Sequence, residues 1–309
     1  MKGPLAFAGV LLLNLSLALV PARPAGLPAY GSPWRHDPPT AKMIYPVITT
    51  IDVPGAEVTG LNGINSAGEI AGYYGASSND PHKHGFLVKN GELIPLDYPR
   101  AYATFAYGIN DAGLVVGSAE LQGGFIAVGF TYDGARFTTF RDGRRPVTIP
   151  FGINNFDDTV GGAGTLDTTR GFEQVGTRFK AINFPGNYVY AYGCGINNLG
   201  DIVGFTDKDA YSYINGQFND LDVPGADWTH ACGINDTGII VGSFGSGDQY
   251  SGFALLSGTY FEFSYPGAAF TAVSGVNDSG VAVGQYTFDY EIWHGFVAPL
   301  NLASTPEER

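Results

Sequence analysis

Charged side chains are scarce in this sequence, and basic ones are the scarcest. Lysine and arginine number 16 against 29 aspartate and glutamate residues, and the four types make up 15% of 309 residues, where ~25% is typical. The formal net charge of −13 repels nucleic-acid phosphates and anionic lipid head groups. The composition therefore argues against a nucleic-acid partner, and the acidity is interpreted as a source of solubility.

Motifs of well-known active sites are also missing. The sequence has no Gly-x-Ser-x-Gly string, no phosphate-binding Walker loop and no zinc signature. Asp207 and Asp209 offer carboxylates for calcium, but the segment lacks the ligand count and the glycine of a known calcium loop. We expect no metal and no cofactor, with calcium kept as the alternative.

Only one long apolar run occurs, and it lies at the N-terminus. Lys2 precedes an apolar stretch from Leu5 to Val20, and Ala22 is a small residue at a suitable cleavage position. This pattern is typical of a secretory signal cleaved after Ala22. An uncleaved anchor is the alternative. We therefore predict a secreted or periplasmic protein that is not inserted in a membrane after cleavage. The predicted domains are a signal at 1–22, a Pro-rich linker at 23–44, a repeat domain at 45–300 and a tail at 301–309.

Glycine and aromatic residues are abundant, and much of the glycine follows an internal repeat. The string Gly-Ile-Asn, once Gly-Val-Asn, recurs at intervals of 45, 44, 43, 38 and 42 residues, and another glycine stands nine residues after each start. The six strings begin at Gly63, Gly108, Gly152, Gly195, Gly233 and Gly275.

Each repeat is predicted to form four short strands. In the second repeat these are Thr104–Ile109, Leu114–Gly117, Val128–Tyr132 and Arg136–Phe140, separated by turn residues. Four strands in ~43 residues are typical of one propeller blade. The sequence therefore predicts an all-β, six-bladed β-propeller. Residues 47–53 have the form of a fourth strand without a unit before them, so we expect them to complete the sixth blade and close the ring. An open or prism-like repeat is the alternative.

The repeat resembles the extracellular HAF repeats, named after a His-Ala-Phe string. The resemblance rests on Gly-Ile-Asn-x-x-Gly-x-x-Val-Gly followed by His84-Gly85-Phe86 or His294-Gly295-Phe296, and it covers residues 45–300. The sequence departs from the pattern at the Gly of that string and at Asp157, where the turn glycine is expected. The resemblance implies secretion and a repeat fold, and it implies no established reaction.

Function is expected where the repeats differ, which is in the loops after the second strands and in the links between units. Aromatic side chains with hydrogen-bonding neighbours suit sugar rings, so we predict a glycan or an extracellular polymer as the ligand. We also expect the protein to be a monomer. The candidate ligand-binding residues are Tyr73, Tyr74, His82, Tyr102, Tyr188, Tyr190, Trp228, His230, Tyr250, Tyr286, Tyr290 and Trp293. Wedging of these aromatics between blades is the structural alternative.

Two other functions remain open at this point. A hydrolase or lyase would use two loop carboxylates as acid and base, with candidates Asp80, Asp207, Asp248 and Glu291. A protein-interaction or surface-scaffold module would bind a surface protein. Separately, Arg141, Arg144 and Arg145 stand on one link and are candidates for binding an anionic group, with a solvated loop as the alternative.

The two cysteines precede Gly-Ile-Asn in consecutive repeats, at Cys194 and Cys232. An even number of cysteines in an exported protein favours a disulfide. Two points argue against a disulfide. Equivalent residues of adjacent blades point the same way around a ring, and packed sheets lie ~10 Å apart. We expect two free thiols.

Overall fold

A computed structural model describes residues 42–302, except positions 125, 166, 187 and 248. The described part consists of 25 strands and one short 3₁₀ helix, Gln122–Gly124, with no α-helix among the described residues. No helix in this part is long and apolar enough to span a membrane. The predicted signal at 1–22 and the candidate Asp248 lie outside the described residues, as do most of the predicted linker and tail.

Two short strands precede the repeats, β1 Lys42–Met43 and β2 Thr49–Ile51. The first three units contain β3 Val58–Ile64, β4 Ile70–Gly75, β5 Lys83–Lys89 and β6 Glu92–Leu96; β7 Ala103–Ile109, β8 Val115–Leu121, β9 Ile126–Tyr132 and β10 Phe137–Phe140; and β11 Val147–Ile153, β12 Thr159–Gly164, β13 Thr169–Val175 and β14 Arg178–Ile182. The last three contain β15 Ala191–Ile196, β16 Ile202–Thr206, β17 Ala210–Ile214 and β18 Gln217–Asp220; β19 Trp228–Ile234, β20 Ile240–Ser246, β21 Gln249–Leu256 and β22 Thr259–Phe263; and β23 Phe270–Val276, β24 Val281–Thr287 and β25 Trp293–Pro299.

Strands within a unit pair antiparallel in chain order. The prediction of four strands per repeat is confirmed for the first five units, and the second unit matches its predicted strands closely. The sixth unit has three strands of its own, and β2 pairs antiparallel with β25, with Thr49 opposite Val297. β1 adds a parallel strand to the fifth unit, with Lys42 opposite Phe261.

The repeated asparagine fixes the turn after each first strand. In the second unit the Asn110 side-chain oxygen accepts a hydrogen bond from the Leu114 backbone N–H at 3.0 Å, and Gly113 has a φ of 79°. Asp157 takes the glycine's place in the third unit with a φ of 64°, in the left-handed region that L-residues rarely adopt. The asparagine side chain caps the turn in the same way in the other units.

The same asparagines also link neighbouring units. The Asn65 side-chain amide donates to the Asn110 carbonyl oxygen at 3.1 Å, and the Asn110 amide donates to the Asn154 carbonyl at 3.2 Å. The bonds continue in this direction through Asn197 and Asn235. Asn277 then donates to the carbonyl oxygen of Asn65 at 3.1 Å, which joins the sixth unit to the first.

The second repeated glycine makes room for an aromatic side chain of the third strand. A Cβ on Gly72 would overlap the Gly60 carbonyl oxygen and would lie 2.7 Å from the Phe86 ring. The same arrangement recurs in the other units, and the rings concerned are fully buried. The glycine excess of the sequence is therefore in part a packing requirement of the sheets. The buried rings are Phe86, Phe130, Phe172, Tyr211, Phe253 and Phe296.

Repeated threonines secure the links between units. The Thr59 hydroxyl accepts a hydrogen bond from the Val53 backbone N–H at 3.0 Å, and Thr104 does the same for Tyr98. The other members of the series are Thr148, Thr229 and Thr271, each bonded six residues upstream. Their hydroxyls therefore satisfy backbone donors of the links.

Candidate functional site

The structure has two unlike faces. The variable face carries the loops after the second strands, at 76–82, 207–209 and 288–292 among others, together with the links between units. The turn face carries the tight turns after the first strands and the hairpins after the third strands. Most of the candidate ligand-binding residues belong to the variable face, and the structure divides them into a buried and an accessible group.

Three of the candidate ligand-binding residues are buried. Tyr73, Tyr286 and Trp293 belong to the hydrophobic core. The Tyr73 hydroxyl bonds the Gln285 side-chain oxygen at 3.1 Å, and the Tyr286 ring stacks on Tyr265 with the centroids 3.8 Å apart. Their burial favours the structural alternative for these three residues, because their side chains fill space between the strands.

Two other aromatic candidates, Trp228 and Tyr250, remain partly accessible. The Trp228 indole lies across Gly245, where a Cβ would be 2.6 Å from the indole Cε2. The Trp228 ring stacks with Tyr250 at 6.1 Å and with Phe270 at 6.3 Å. We call Trp228 and Tyr250 the aromatic platform, since both are half-buried and rest on the buried Phe270.

Another candidate, His230, is held as a neutral ring beside this platform. Its ring stacks on Phe205 with the centroids 3.9 Å apart, and Trp228 lies 4.7 Å away on another side. Burial lowers the pKa of His230 to about 3. His230 is therefore uncharged near neutral pH and supports the position of Trp228.

The fourth unit places two candidate tyrosines beside carboxylates. The Tyr188 hydroxyl donates to the Asp209 side chain at 3.3 Å, and the Lys208 ammonium lies 5.4 Å from the centre of the Tyr188 ring. The Asp207 side chain accepts from the Val189 backbone N–H at 3.1 Å. Tyr190 is half-buried and contacts Tyr192 at 5.5 Å.

Further candidates lie in the first unit and on the link that follows it. The exposed His82 ring contacts Tyr102 with the centroids 4.3 Å apart, and its Nδ1 bonds the Tyr102 carbonyl oxygen. Tyr74 stacks on His84 at 5.1 Å. His84 in turn pairs with Asp97 at 3.1 Å. The remaining candidate, Tyr290, is exposed in the sixth unit and lies 6.3 Å from the Trp293 ring.

The three candidate arginines are exposed on their link. Arg145 forms an ion pair with Asp142 at 2.9 Å. Its guanidinium is therefore partly neutralised, and Arg141 and Arg144 carry the remaining positive charge of this link.

The described catalytic candidates do not form a pair. Asp80 accepts a hydrogen bond from the His82 backbone N–H at 2.9 Å, while Asp207 caps another loop and Glu291 is exposed in the sixth unit. Within residues 42–302 as described, no three His, Cys, Asp or Glu side chains are grouped to hold a metal ion.

Sequence reasoning missed a buried acid and a buried base between the first two units. Glu120 and Lys83 are 5% and 4% exposed. Lys83 donates to the carbonyl oxygens of Ser77, at 3.0 Å, and of Asp80. Burial raises the pKa of Glu120 to about 8, with Lys83 opposing the rise. The signal was available, because Glu120 stands where the first, third and fifth units have glycine.

In the fourth unit, Asp209, named above as a calcium candidate, is accompanied by Asp222, which sequence reasoning missed. Asp209 and Asp222 occupy the positions that carry His84 and Asp97 in the first unit. Burial, aided by the neighbouring Asp220 and Asp209, raises the pKa of Asp222 to about 7, and burial also raises the pKa of Asp209.

Two small cavities of about 70 Å³ are each lined by residues of all six units. The outer one is lined by the turn residues, including Asp111, Asp236 and Asp278. The inner one is lined by the motif glycines and by the residue before each of them. These residues are Asn62, Tyr107, Phe151, Cys194, Cys232 and Ser274.

No protein-family profile matches the chain, and no curated protein is significantly similar to it in sequence. Solved structures do resemble it. A protein of unknown function from Dyadobacter fermentans matches with a TM-score of 0.51 and 12% identity over 83% of this chain and 100% of that one. A protein described as a candidate gluconolactonase matches with a TM-score of 0.50 and 12% identity over 84% and 93%.

A third similar structure is the β-propeller domain of a trilobed protease from Pyrococcus furiosus, with a TM-score of 0.45 and 9% identity over 79% of this chain and 94% of that one. At these identities the resemblance concerns the fold and carries no ligand or reaction. The chain is an all-β protein with a propeller-like fold.

Proposed function

We propose that this chain is an exported, monomeric six-bladed β-propeller that binds a glycan or an extracellular polymer on its variable face. Closure of the ring is supported by the hydrogen bond from Asn277 to Asn65 and by the pairing of β2 with β25. Export is supported by the signal-like N-terminal sequence.

The aromatic platform is the observation that carries the proposed binding. The Trp228 and Tyr250 rings are stacked, half-buried and held from below by Phe270. Such a rigid surface gives the apolar face of a sugar ring a place to stack. The exposed carboxylate of Asp227, in the link before β19, supplies hydrogen-bond acceptors for hydroxyl groups.

A binding screen with variants tests this function. The parent protein is incubated with a glycan array and with insoluble cellulose, chitin and peptidoglycan. We expect Trp228→Ala and Tyr250→Ala to weaken binding to the best ligand by about tenfold, equivalent to ~1.4 kcal/mol. The control is Phe156→Ala, which removes a 70% exposed ring from the turn face. Absence of any ligand, or equal affinities of parent and platform variants, overturns the proposal.

The carboxyl pair of the fourth unit favours a second function, cleavage of such a polymer. A general acid works best when its pKa lies near the working pH, and Asp222 meets that condition with a pKa of about 7. Release of reducing ends or unsaturated sugars by the parent, lost in Asp222→Asn, would support it. Activity retained in Asp222→Asn would exclude this role of Asp222.

A further inference from the structure

Cys194 and Cys232 occupy equivalent positions in β15 and β19, the first strands of the fourth and fifth units. Each first strand has a β-bulge at the residue before its motif glycine, so that the register shifts between Gly193 and Gly195 and between Ala231 and Gly233. A bulge re-aims the side chain of the extra residue. Both cysteines are such extra residues, and both line the inner axial cavity.

The first strands approach each other very closely at this level. A Cβ placed on Gly195 would lie 3.0 Å from both the Cys232 carbonyl oxygen and the Gly233 Cα. With a C–C bond of about 1.5 Å, the Cα atoms of Gly195 and Gly233 are within about 4.5 Å. Cys194 and Cys232 stand one residue earlier in the same two strands, and a disulfide requires Cα atoms about 4.4–6.8 Å apart.

The spacing argument against a bridge does not apply to this pair of strands. The usual ~10 Å spacing of packed sheets does not apply at the axis, where glycine meets glycine. Both cysteines also line the same small cavity. Both thiols are free in the structure, as the sequence predicts.

We propose that Cys194 and Cys232 form an intramolecular disulfide that joins the first strands of the fourth and fifth units at the axis. The oxidant is a disulfide, either of a thiol-oxidising protein or of oxidised glutathione. One cysteine thiolate attacks the oxidant and releases one thiol. The second cysteine then attacks the mixed disulfide, releases the other thiol and completes the bridge, so that two thiols are oxidised and one disulfide is reduced.

The bond forms while the chain folds. In the folded, reduced chain, burial raises the pKa of Cys232 to about 12 and also raises the pKa of Cys194. Thiolates are the reactive form, so the folded thiols react slowly with an oxidant. During folding they are still exposed, and the approach of the two strands brings them together.

Oxidative refolding of the full chain tests the proposal. The reduced chain is unfolded in urea, refolded in a glutathione redox buffer and treated with iodoacetamide under denaturing conditions. We expect a mass lower than that of the reduced chain by two hydrogen atoms, with no alkylation. Two alkylated thiols, or glutathione adducts on both cysteines, would overturn it.

Matched controls place cysteine pairs at other residues that precede a motif glycine; these residues together form the axial layer. Ser274 follows Cys232 in this layer. The variant Cys194→Ser/Ser274→Cys keeps two neighbouring thiols and is expected to form a bridge. The variant Cys232→Ser/Ser274→Cys separates the thiols by one unit and is expected to stay reduced or to carry glutathione. Equal bridging in both variants would contradict the adjacency argument, and circular dichroism verifies that each variant is folded.

Discussion

The buried carboxyl of Glu120 makes a quantitative prediction about stability and pH. Burial raises its pKa from 4.5 to about 8 in the folded chain. Between these two values the folded state holds a proton that the unfolded state releases, so stability falls as the pH rises. One pKa unit corresponds to about 1.4 kcal/mol. Between pH 6 and pH 9 the free energy of unfolding is therefore expected to fall by about 2 to 3 kcal/mol.

The variant Glu120→Gln isolates this contribution. Its side chain keeps nearly the same shape and cannot ionise. We expect the free energy of unfolding, measured by equilibrium denaturation in guanidinium chloride, to fall less between pH 6 and pH 9 in the variant, by about 2 to 3 kcal/mol. Glu291→Gln makes the same chemical change on an exposed loop and should follow the parent. Parallel pH curves for Glu120→Gln and the parent would refute the reasoning.

Three further predictions concern single side chains. Asn197→Ala removes acceptors for the Leu199 and Asp201 backbone N–H groups and the bond to the Asn235 carbonyl, so we expect a loss of about 2–4 kcal/mol in urea unfolding; a loss no larger than that of Asn219→Ala on an outer strand would contradict it. Gly204→Ala places a Cβ against the Tyr192 carbonyl oxygen and 2.9 Å from the Tyr211 ring, and thermal unfolding should show a destabilisation of about 1–3 kcal/mol. His230 has a pKa of about 3 in the folded chain and 6.5 ordinarily, so its contribution to stability is lost as the pH falls from 6.5 towards 3. We expect the stability of His230→Phe to fall less than that of the parent over this pH range. An equal fall in both proteins would contradict the prediction.

The repeated part of the fold could be predicted from sequence because each repeated residue has a local reason. Asn110 closes its own turn, Thr104 bonds its own link and Gly117 accommodates Phe130. These needs are alike in every unit, and so they produce a visible pattern.

The arrangement of the site could not be predicted in the same way. Whether Tyr73 or Trp293 is buried depends on how much space other units leave at the axis, and no spacing records that. The direction of Cys194 follows from a β-bulge, which shifts the alternation of side chains by one residue. Glu120 was visible as a departure from glycine at its position, but its burial is set by neighbouring units.

Hydrogen exchange with and without the bound polymer tests the central claim of binding on the variable face most directly. We predict slower exchange in residues 226–230, which include Trp228 and the start of β19, and at Gly247, which follows β20. The turns at 155–157 and 198–200 on the opposite face should exchange as in the free protein. Protection confined to those turns would contradict the account.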